Sequence, residues 1–269
     1  MSTTTRTESR DVTLEVFGGR LSVHVRVYGD GPPLVYFHGP FGFVPDDFVR
    51  GLAGRYTVYV PEFPGTSAGD PYAVHALDDL WDLVLVYEEV IRRLGIHGAV
   101  AIGASFGGML AAELAATFPG PYTRLVLLAP LGLWREDQPV ANWISAAPAD
   151  LPALLFHDPG APAVQRSLAP PEDPQAMLDV IAATVWALGC TGKFVWPIPD
   201  RGLAKRLHRI TTPTLIVWGA QDRLAPVAYA EEFRSRIAGA RVAILPDCGH
   251  LLQVEQREAL DRVVAGFLS

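Results

Sequence analysis

The sequence has few cysteines, no basic cluster and no long apolar run. Two cysteines in 269 residues are too few for a disulfide framework, so we expect Cys190 and Cys248 to be reduced and partly buried. No run approaches the roughly 18–20 apolar residues that a membrane span needs. The polar stretch Met1–Arg10 has no apolar core of a secretory signal. These absences predict a cytoplasmic protein without a membrane partner.

The charge balance argues against nucleic acid as a partner. The chain carries 22 basic and 29 acidic residues, for a net charge of −7, and its acidity is read as a contribution to solubility. No His, Cys, Asp or Glu cluster has metal-ligand spacing, so we expect neither a metal nor a cofactor. With 49% apolar residues the chain can form a large core. We expect a monomer or homodimer that acts on a small-molecule substrate.

Apolar strands alternate with amphipathic helices along most of the chain. Two period-two segments flanking Gly18-Gly19 predict an antiparallel hairpin. The following strands are continuously apolar, which is typical of a mostly parallel sheet with helices on both faces. The predicted strands are 12–16, 21–28, 34–37, 56–60, 99–102, 124–129, 214–218 and 241–245, and the predicted helices are 76–94, 106–118, 229–237 and 255–267.

One long segment breaks this alternation. It is rich in proline and tryptophan, and it shows helical fragments without a strand pattern. We predict a helical cap over residues 133–200, inserted between core parts 1–132 and 201–269. A poorly ordered loop is the alternative, which the tryptophans disfavour because they need packing partners. Cap aromatics either line a substrate pocket or form the core of the cap, and Phe156 and Phe194 pose this choice as much as the tryptophans. We select Trp134 and Trp186 as the residues expected to bind substrate.

A serine lies between two glycines where a buried strand meets a helix. The pattern Gly103-Ala-Ser105-Phe-Gly107 in that context is typical of a nucleophile elbow. The turn must be so tight that side chains at the glycine positions would collide with neighbouring elements. The following helix directs its free N–H groups at charge that develops on a substrate. The alternative is a glycine-rich turn with an idle serine.

Two further polar residues follow later strands. Asp222 lies in the turn after the strand 214–218, and His250 follows the strand 241–245. A serine hydroxyl needs a base and a group that orients the base, and the chain order Ser, Asp, His is the one that elbow-bearing sheets use. Asp222 could instead be a simple turn former. Asp247 is also near His250 in sequence, but adjacency does not place it on the far side of the imidazole.

These residues, with His38-Gly39 after the third strand, resemble the α/β-hydrolase family over nearly the whole chain. The resemblance implies an α/β-hydrolase fold, Ser105 as nucleophile, His250 as general base and Asp222 as its orienting acid. It also implies that the Phe106 N–H is an oxyanion-hole donor and that His38 is structural.

One position departs from the family pattern. The residue after His-Gly normally supplies the second oxyanion N–H, but here it is Pro40, which has none. We expect Phe41 to supply that donor, helped by the flexibility of Gly42, and Pro40 to border the substrate.

The function expected from the resemblance is hydrolysis of small carboxylic esters through an acyl-enzyme. One alternative is a C–C bond hydrolase of a diketone or ring-cleavage product, because the segment Cys248–Glu255 and the capped architecture are similar to that group. Such enzymes bind a carboxylated substrate, for which Arg135 is the candidate. A non-hydrolytic biosynthetic enzyme or ligand receptor on the same fold is a further alternative.

Overall fold

Eight strands form one sheet in the computed structural model, which describes residues 9–67, 70–198 and 200–269. Residues 1–8, most of the stretch considered for a secretory signal, lie outside the described residues. The strands are β1 (Arg10–Val16), β2 (Leu21–Tyr28), β3 (Pro33–Phe37), β4 (Thr57–Pro61), β5 (Ala99–Ala104), β6 (Tyr122–Leu128), β7 (Thr214–Gly219) and β8 (Arg241–Leu245). Their order across the sheet is β1-β2-β4-β3-β5-β6-β7-β8.

The sheet is mostly parallel, as the sequence predicts. The β1–β2 hairpin is antiparallel and pairs Val16 with Leu21, and β2 is also antiparallel to β4. All pairs from β4 through β3 to β8 are parallel. Strands β3, β5, β7 and β8 therefore end at one edge, where the loops with His38, Ser105, Asp222 and His250 begin. The predicted α/β-hydrolase fold is confirmed.

Nine helices connect and flank the strands in the described part of the chain. They are α1 (Asp47–Ala53), α2 (Leu80–Arg93), α3 (Phe106–Thr117), α4 (Leu151–Leu155), α5 (Pro162–Leu168), α6 (Pro174–Val195), α7 (Ala228–Arg236), α8 (Leu252–Glu255) and α9 (Arg257–Leu268). The core is built from the buried strand residues and the helix faces packed on them.

The start of α2 differs from the predicted helix 76–94. The helix begins at Leu80 because the carboxylate of Asp79 accepts the N–H groups of Trp81 and Asp82, which caps it there. Residues Ala73–Ala76 form a separate 3₁₀ turn. Leu77 is buried in the core without being helical, which is why its spacing resembled a helical position.

The segment between β6 and β7 is helical, and we refer to residues 133–200 as the helical segment. It contains α4, α5 and α6, and no strand among its described residues 133–198 and 200. The sequence indicated only helical fragments, whereas α6 is one helix of 22 residues. The division of the chain into core 1–132, cap 133–200 and core 201–269 remains a prediction.

Helix α6 has two unlike halves. Near its C-terminal end, Thr191 and Phe194 are buried, whereas Leu178, Ile181 and Val185 near its start are exposed. By length and composition α6 could cross a membrane, and 33% of its most apolar window is buried. Asp179 and other polar residues interrupt its sequence, so it does not stand out as one apolar run. The absence of a membrane partner therefore stays a prediction.

Candidate active site

Ser105 occupies the turn between β5 and α3 in a strained backbone conformation. Its φ of 55° and ψ of −118° lie in a region that L-residues rarely adopt. Three backbone bonds fix this geometry: the Ser105 N–H donates to the Leu128 carbonyl at 2.9 Å, and the Ser105 carbonyl accepts from Met109 and Leu131, each at 3.1 Å. The residue is buried, and these bonds fix its backbone.

The two glycines around Ser105 are required by close backbone contacts. A Cβ on Gly103 would lie 2.4 Å from the Gly107 carbonyl oxygen, and one on Gly107 would lie 2.1 Å from the Phe37 carbonyl oxygen. Both distances are far shorter than a Cβ can tolerate. The sequence pattern thus reflects the approach of β5, α3 and the end of β3 to one another.

Ser105, His250 and Asp222 form a continuous hydrogen-bonded chain. The Ser105 hydroxyl lies 2.8 Å from His250 Nε2, and His250 Nδ1 lies 2.7 Å from Asp222 Oδ2. The second oxygen, Oδ1, accepts the N–H groups of Leu224 and Ala225 at 2.9 Å each. Because the carboxylate can only accept, Nδ1 carries a proton and Nε2 is left to accept from the serine. Asp222 is therefore a turn former and the partner of His250 at once.

The loops that carry Asp222 and His250 meet at two glycines. A Cβ on Gly219 would lie 2.0 Å from the Gly249 carbonyl oxygen, so only glycine allows this approach. On the other side, the Leu155 carbonyl of the helical segment accepts the His250 N–H at 2.8 Å. The His250 loop is thus enclosed between the end of β7 and the end of α4.

The loop after β3 lies beside Ser105. His38 Nδ1 donates to the Gly39 carbonyl at 2.8 Å, and the Phe63 N–H donates to His38 Nε2 at 3.2 Å. Burial lowers the pKa of His38 to about 4, so the ring is neutral near pH 7 and matches this donor and acceptor pattern. A Cβ on Gly39 would lie 3.9 Å from the Ser105 Cβ, which places the loop against the serine.

Among the backbone N–H groups without an acceptor within residues 9–67, 70–198 and 200–269 are those of Phe41, in the loop after β3, and Phe106, the first residue of α3. Backbone N–H groups are normally paired in folded proteins. Pro40 itself is buried and has no N–H.

A model of the alpha/beta hydrolase family matches residues 34–263, a span that includes all of these loops. The chain belongs to the alpha/beta hydrolase family. As its named relatives indicate, it is an enzyme and a hydrolase.

Two curated relatives of this hydrolase have different named reactions. A 2-hydroxy-6-oxo-6-phenylhexa-2,4-dienoate hydrolase from Burkholderia cepacia is 25% identical, with 98% of this chain and 97% of that protein covered. A pimeloyl-[acyl-carrier protein] methyl ester esterase from Nitrosomonas europaea is 26% identical, with 85% and 92% covered.

Among solved structures, the 2-hydroxy-6-oxo-6-phenylhexa-2,4-dienoate hydrolase from Rhodococcus sp. strain RHA1 superimposes with a TM-score of 0.73. It has 20% sequence identity, with 97% of this chain and 99% of that chain covered. At this identity the likeness establishes a shared fold.

The two tryptophans predicted to bind substrate lie in different places in this hydrolase. Trp186 is 39% exposed, and its indole N–H donates to the Pro71 carbonyl at 2.9 Å. The indole N–H of Trp134 donates to Glu136 at 2.9 Å. Neither contact involves the serine or its partners, and a role for these residues in substrate binding remains a prediction. Phe156 and Phe194 are fully buried, as core residues are.

Trp143 is a residue that the sequence reasoning did not select. It is buried, its ring centroid lies 6.4 Å from that of Phe41, and with Met109 and Leu131 it lines a small apolar cavity. Met109 and Leu131 both donate to the Ser105 carbonyl, so the cavity is next to the serine turn. Nothing in the sequence around Trp143 separates it from the other tryptophans of the helical segment.

Two arginines, Arg135 and Arg201, differ in whether carboxylates already neutralise their charge. Arg135, the predicted carboxylate binder, forms salt bridges with Asp137 at 2.6 Å and Glu232 at 2.8 Å. Arg201 lines the same cavity as Trp143, donates to the Trp196 carbonyl at 2.6 Å and the Phe194 carbonyl at 3.4 Å, and forms no salt bridge within the described residues. Arg201 is therefore better placed than Arg135 to meet an anionic group.

Both cysteines are free and buried. Burial is the main cause that raises the pKa of Cys248 to about 12 and also raises the pKa of Cys190. Protonated thiols are poor nucleophiles. Ser105 is thus the nucleophile candidate at this edge of the sheet.

Proposed function

We propose that the protein hydrolyses small carboxylic esters through a covalent acyl-enzyme on Ser105. The observation that carries this proposal is the hydrogen-bonded chain from the Ser105 hydroxyl through His250 to Asp222. A serine hydroxyl is a weak nucleophile without a base in hydrogen-bond reach, and an imidazole needs a third group to fix its tautomer. The three side chains meet both requirements.

In the proposed reaction His250 takes up and gives back one proton in each of two half-reactions. Ser105 Oγ attacks the ester carbonyl while Nε2 takes its proton, and the imidazolium is stabilised by Asp222. The imidazolium then protonates the alcohol as the C–O bond breaks, leaving an acyl ester on Ser105. Water then gives a proton to His250 and attacks the acyl carbonyl, the bond from the acyl carbon to Ser105 Oγ breaks as Oγ takes that proton, and the carboxylic acid leaves.

We propose that Phe41 and Phe106 supply the oxyanion hole. Their unpaired N–H groups are suited to the negative oxygen of the tetrahedral intermediate, and the positive end of the α3 dipole adds to this effect. One such donor contributes about 2.7–4 kcal/mol in measured cases. In this proposal Phe41 replaces the N–H that Pro40 lacks.

The helical segment is proposed to act as a cap that limits substrate size. Its support is direct: Leu155 bonds the His250 loop, and Trp143 packs against Phe41. The substrate would occupy the space between this segment and the ends of the strands. We propose a cytoplasmic enzyme without a cofactor.

The test is covalent labelling followed by turnover. A fluorophosphonate should modify Ser105 in the folded protein, and a panel of short p-nitrophenyl esters should give an acyl-Ser105 adduct by mass spectrometry. Ser105→Ala should abolish both the fluorophosphonate label and the acyl adduct. Ser145→Ala should keep both, because this serine of the helical segment contacts none of the site residues. Absence of any adduct on Ser105 would refute the proposal. Product formation that persists in Ser105→Ala would favour non-hydrolytic chemistry.

A C–C bond hydrolase is the second candidate, favoured by the named activity of one relative and by Arg201. Its guanidinium could hold the carboxylate of a ring-cleavage product beside the serine turn. A dienol ring-cleavage product turned over faster than every ester would support this candidate. Arg201→Gln should then raise KM for that substrate and leave KM for neutral esters unchanged. The matched change Arg135→Gln should affect neither.

A further inference from the structure

The carbonyl of Pro40 is bonded by a side chain of the helical segment. Thr191 Oγ1 on α6 lies 3.2 Å from the Pro40 carbonyl oxygen and 2.9 Å from the Ala187 carbonyl oxygen. The hydroxyl has one proton, which these two carbonyls share. The Ala187 carbonyl is inside α6, where the helix also supplies an N–H partner. The Pro40 carbonyl is outside any helix or strand, and the Thr191 hydroxyl is the donor that the structure gives it. Thr191 is fully buried, so water does not reach this hydroxyl.

The Pro40 carbonyl and the Phe41 N–H belong to one peptide unit. The unit is planar, and in the trans form its C=O and N–H groups point in opposite directions. A hydrogen bond that fixes the direction of the carbonyl therefore also fixes the direction of the N–H. Thr191 can orient the Phe41 N–H without contacting it.

Packing on α6 supports the same arrangement. A Cβ on Gly42 would lie 3.8 Å from the Ala187 side chain, so the helix lies against the loop one turn before Thr191. Gly42 has a φ of +85°, which shows that the chain turns sharply after Phe41. The ring of Phe41 packs on Trp143. The Pro40–Phe41 peptide is thus held by the helical segment on both its carbonyl and its side-chain side.

We infer that Thr191 is a positioning residue for the oxyanion hole. Its hydroxyl holds the Pro40–Phe41 peptide so that the Phe41 N–H stays directed at the substrate oxygen. The inference rests on the proposed function, since an oxyanion forms only if Ser105 attacks a carbonyl or phosphonyl centre. Helix α6, which is not a neighbour of the catalytic strand ends in sequence, thereby helps to position one donor to the transition state.

The experiment compares variants that keep or remove the hydroxyl. Thr191→Val has nearly the same shape without the hydroxyl, and Thr191→Ser keeps the hydroxyl without the methyl. Thr184→Val is the matched control, because the Thr184 hydroxyl also donates to a carbonyl four residues earlier, at 2.8 Å, in the exposed half of α6. If Thr191→Val does not fold, Thr191→Ala compared with Thr191→Ser isolates the hydroxyl.

Two rates report on the oxyanion: kcat for an ester, and the rate of Ser105 phosphonylation. For Thr191→Val we expect both to fall about tenfold, less than the 10²–10³ for loss of a whole donor, with KM nearly unchanged. Thr191→Ser should stay close to the parent, and Thr184→Val should match it. The inference would be overturned if Thr191→Val had the same rates as the parent, or if Thr191→Ser lost as much rate as Thr191→Val.

Backbone relaxation separates this inference from the proposed function. In the free protein, ¹⁵N relaxation should show a more mobile Phe41 N–H in Thr191→Val than in the parent or in Thr184→Val. Unchanged relaxation would refute the role of Thr191 even in an active enzyme. If no variant or parent is phosphonylated, the proposed function fails, and with it the catalytic role of Thr191, whatever the relaxation data show.

Discussion

Asp222 contacts His250 through one carboxylate oxygen and the backbone of its own turn through the other. Oδ2 lies 2.7 Å from His250 Nδ1, while Oδ1 accepts two N–H groups from Leu224 and Ala225. Neither oxygen can move to a new partner without leaving a buried donor unpaired. The carboxylate is therefore fixed in position and so fixes the imidazole.

This arrangement predicts the effect of Asp222→Asn. The amide oxygen must face the two backbone N–H groups, so the NH₂ group faces His250 Nδ1, which then has to accept. Nε2 would carry the proton and could no longer accept from Ser105. We expect kcat to fall by about 10⁴ with little loss of stability, measured by ester turnover and thermal unfolding. Asp247→Asn, at an exposed position on the His250 loop, should be silent. Comparable losses in the two variants would contradict the assignment.

Gly107→Ala should destabilise the fold severely. The new Cβ would lie 2.1 Å from the Phe37 carbonyl oxygen, which is backbone and cannot move aside. We expect a loss of roughly 4–5 kcal/mol or more in the free energy of unfolding, from denaturant titration. Gly266→Ala is the control in another helix, where a Cβ meets nothing within 4 Å. It should be stabilising by up to about 1 kcal/mol. A mild effect of Gly107→Ala would show that the turn can relax.

Glu255 joins the His250 loop to the helical segment, so Glu255→Gln should lower both the stability of the protein and its kcat. One carboxylate oxygen accepts the Gly249 N–H at 2.6 Å and the other accepts the Asp158 N–H at 3.0 Å. Glutamine can accept from only one of them, and its NH₂ group would face the other donor. We expect about 1–3 kcal/mol less stability in denaturant titration, and a lower kcat because His250 is held less firmly. Glu258→Gln, at an exposed site, should change neither quantity.

The low pKa of His38 predicts a pH dependence of stability. Burial lowers it to about 4 in the folded protein, against about 6.5 when unfolded. Between these values the unfolded chain binds a proton that the folded one does not, so stability falls as pH falls from 6.5 to 4, by about 3 kcal/mol in total.

The free energy of unfolding measured across this pH range checks this expectation. The difference in the free energy of unfolding between the parent and His38→Asn should shrink as the pH falls from 6.5 to 4, because the variant lacks this titrating group. His208→Asn, at an exposed position, should keep a constant offset from the parent. A constant offset for His38→Asn as well would show that His38 is not the titrating group.

Most of the strands and helices could be predicted from the sequence, because their patterns of apolar residues depend on local spacing. The hairpin around Gly18-Gly19 and the strand before Ser105 are correct. The predicted start of α2 was too early because Leu77 is an apolar residue at helical spacing from the residues of α2. Leu77 is buried in the core, but it lies before the helix begins. The length of α6 was missed because its exposed half shows no polar face to mark it as a surface helix.

Residue types and their positions along the chain are enough to define the chemistry available at the strand ends. The order of Ser105, Asp222 and His250, the glycines of the turn and the missing N–H of Pro40 all follow from residue type and position. The contacts that hold these groups in place come from the packing of segments that are far apart in the chain. Thr191 and Pro40 are 151 positions apart, and their contact depends on how α6 packs on the loop after β3. Local spacing carries no information about such contacts, because the packing of distant segments creates them.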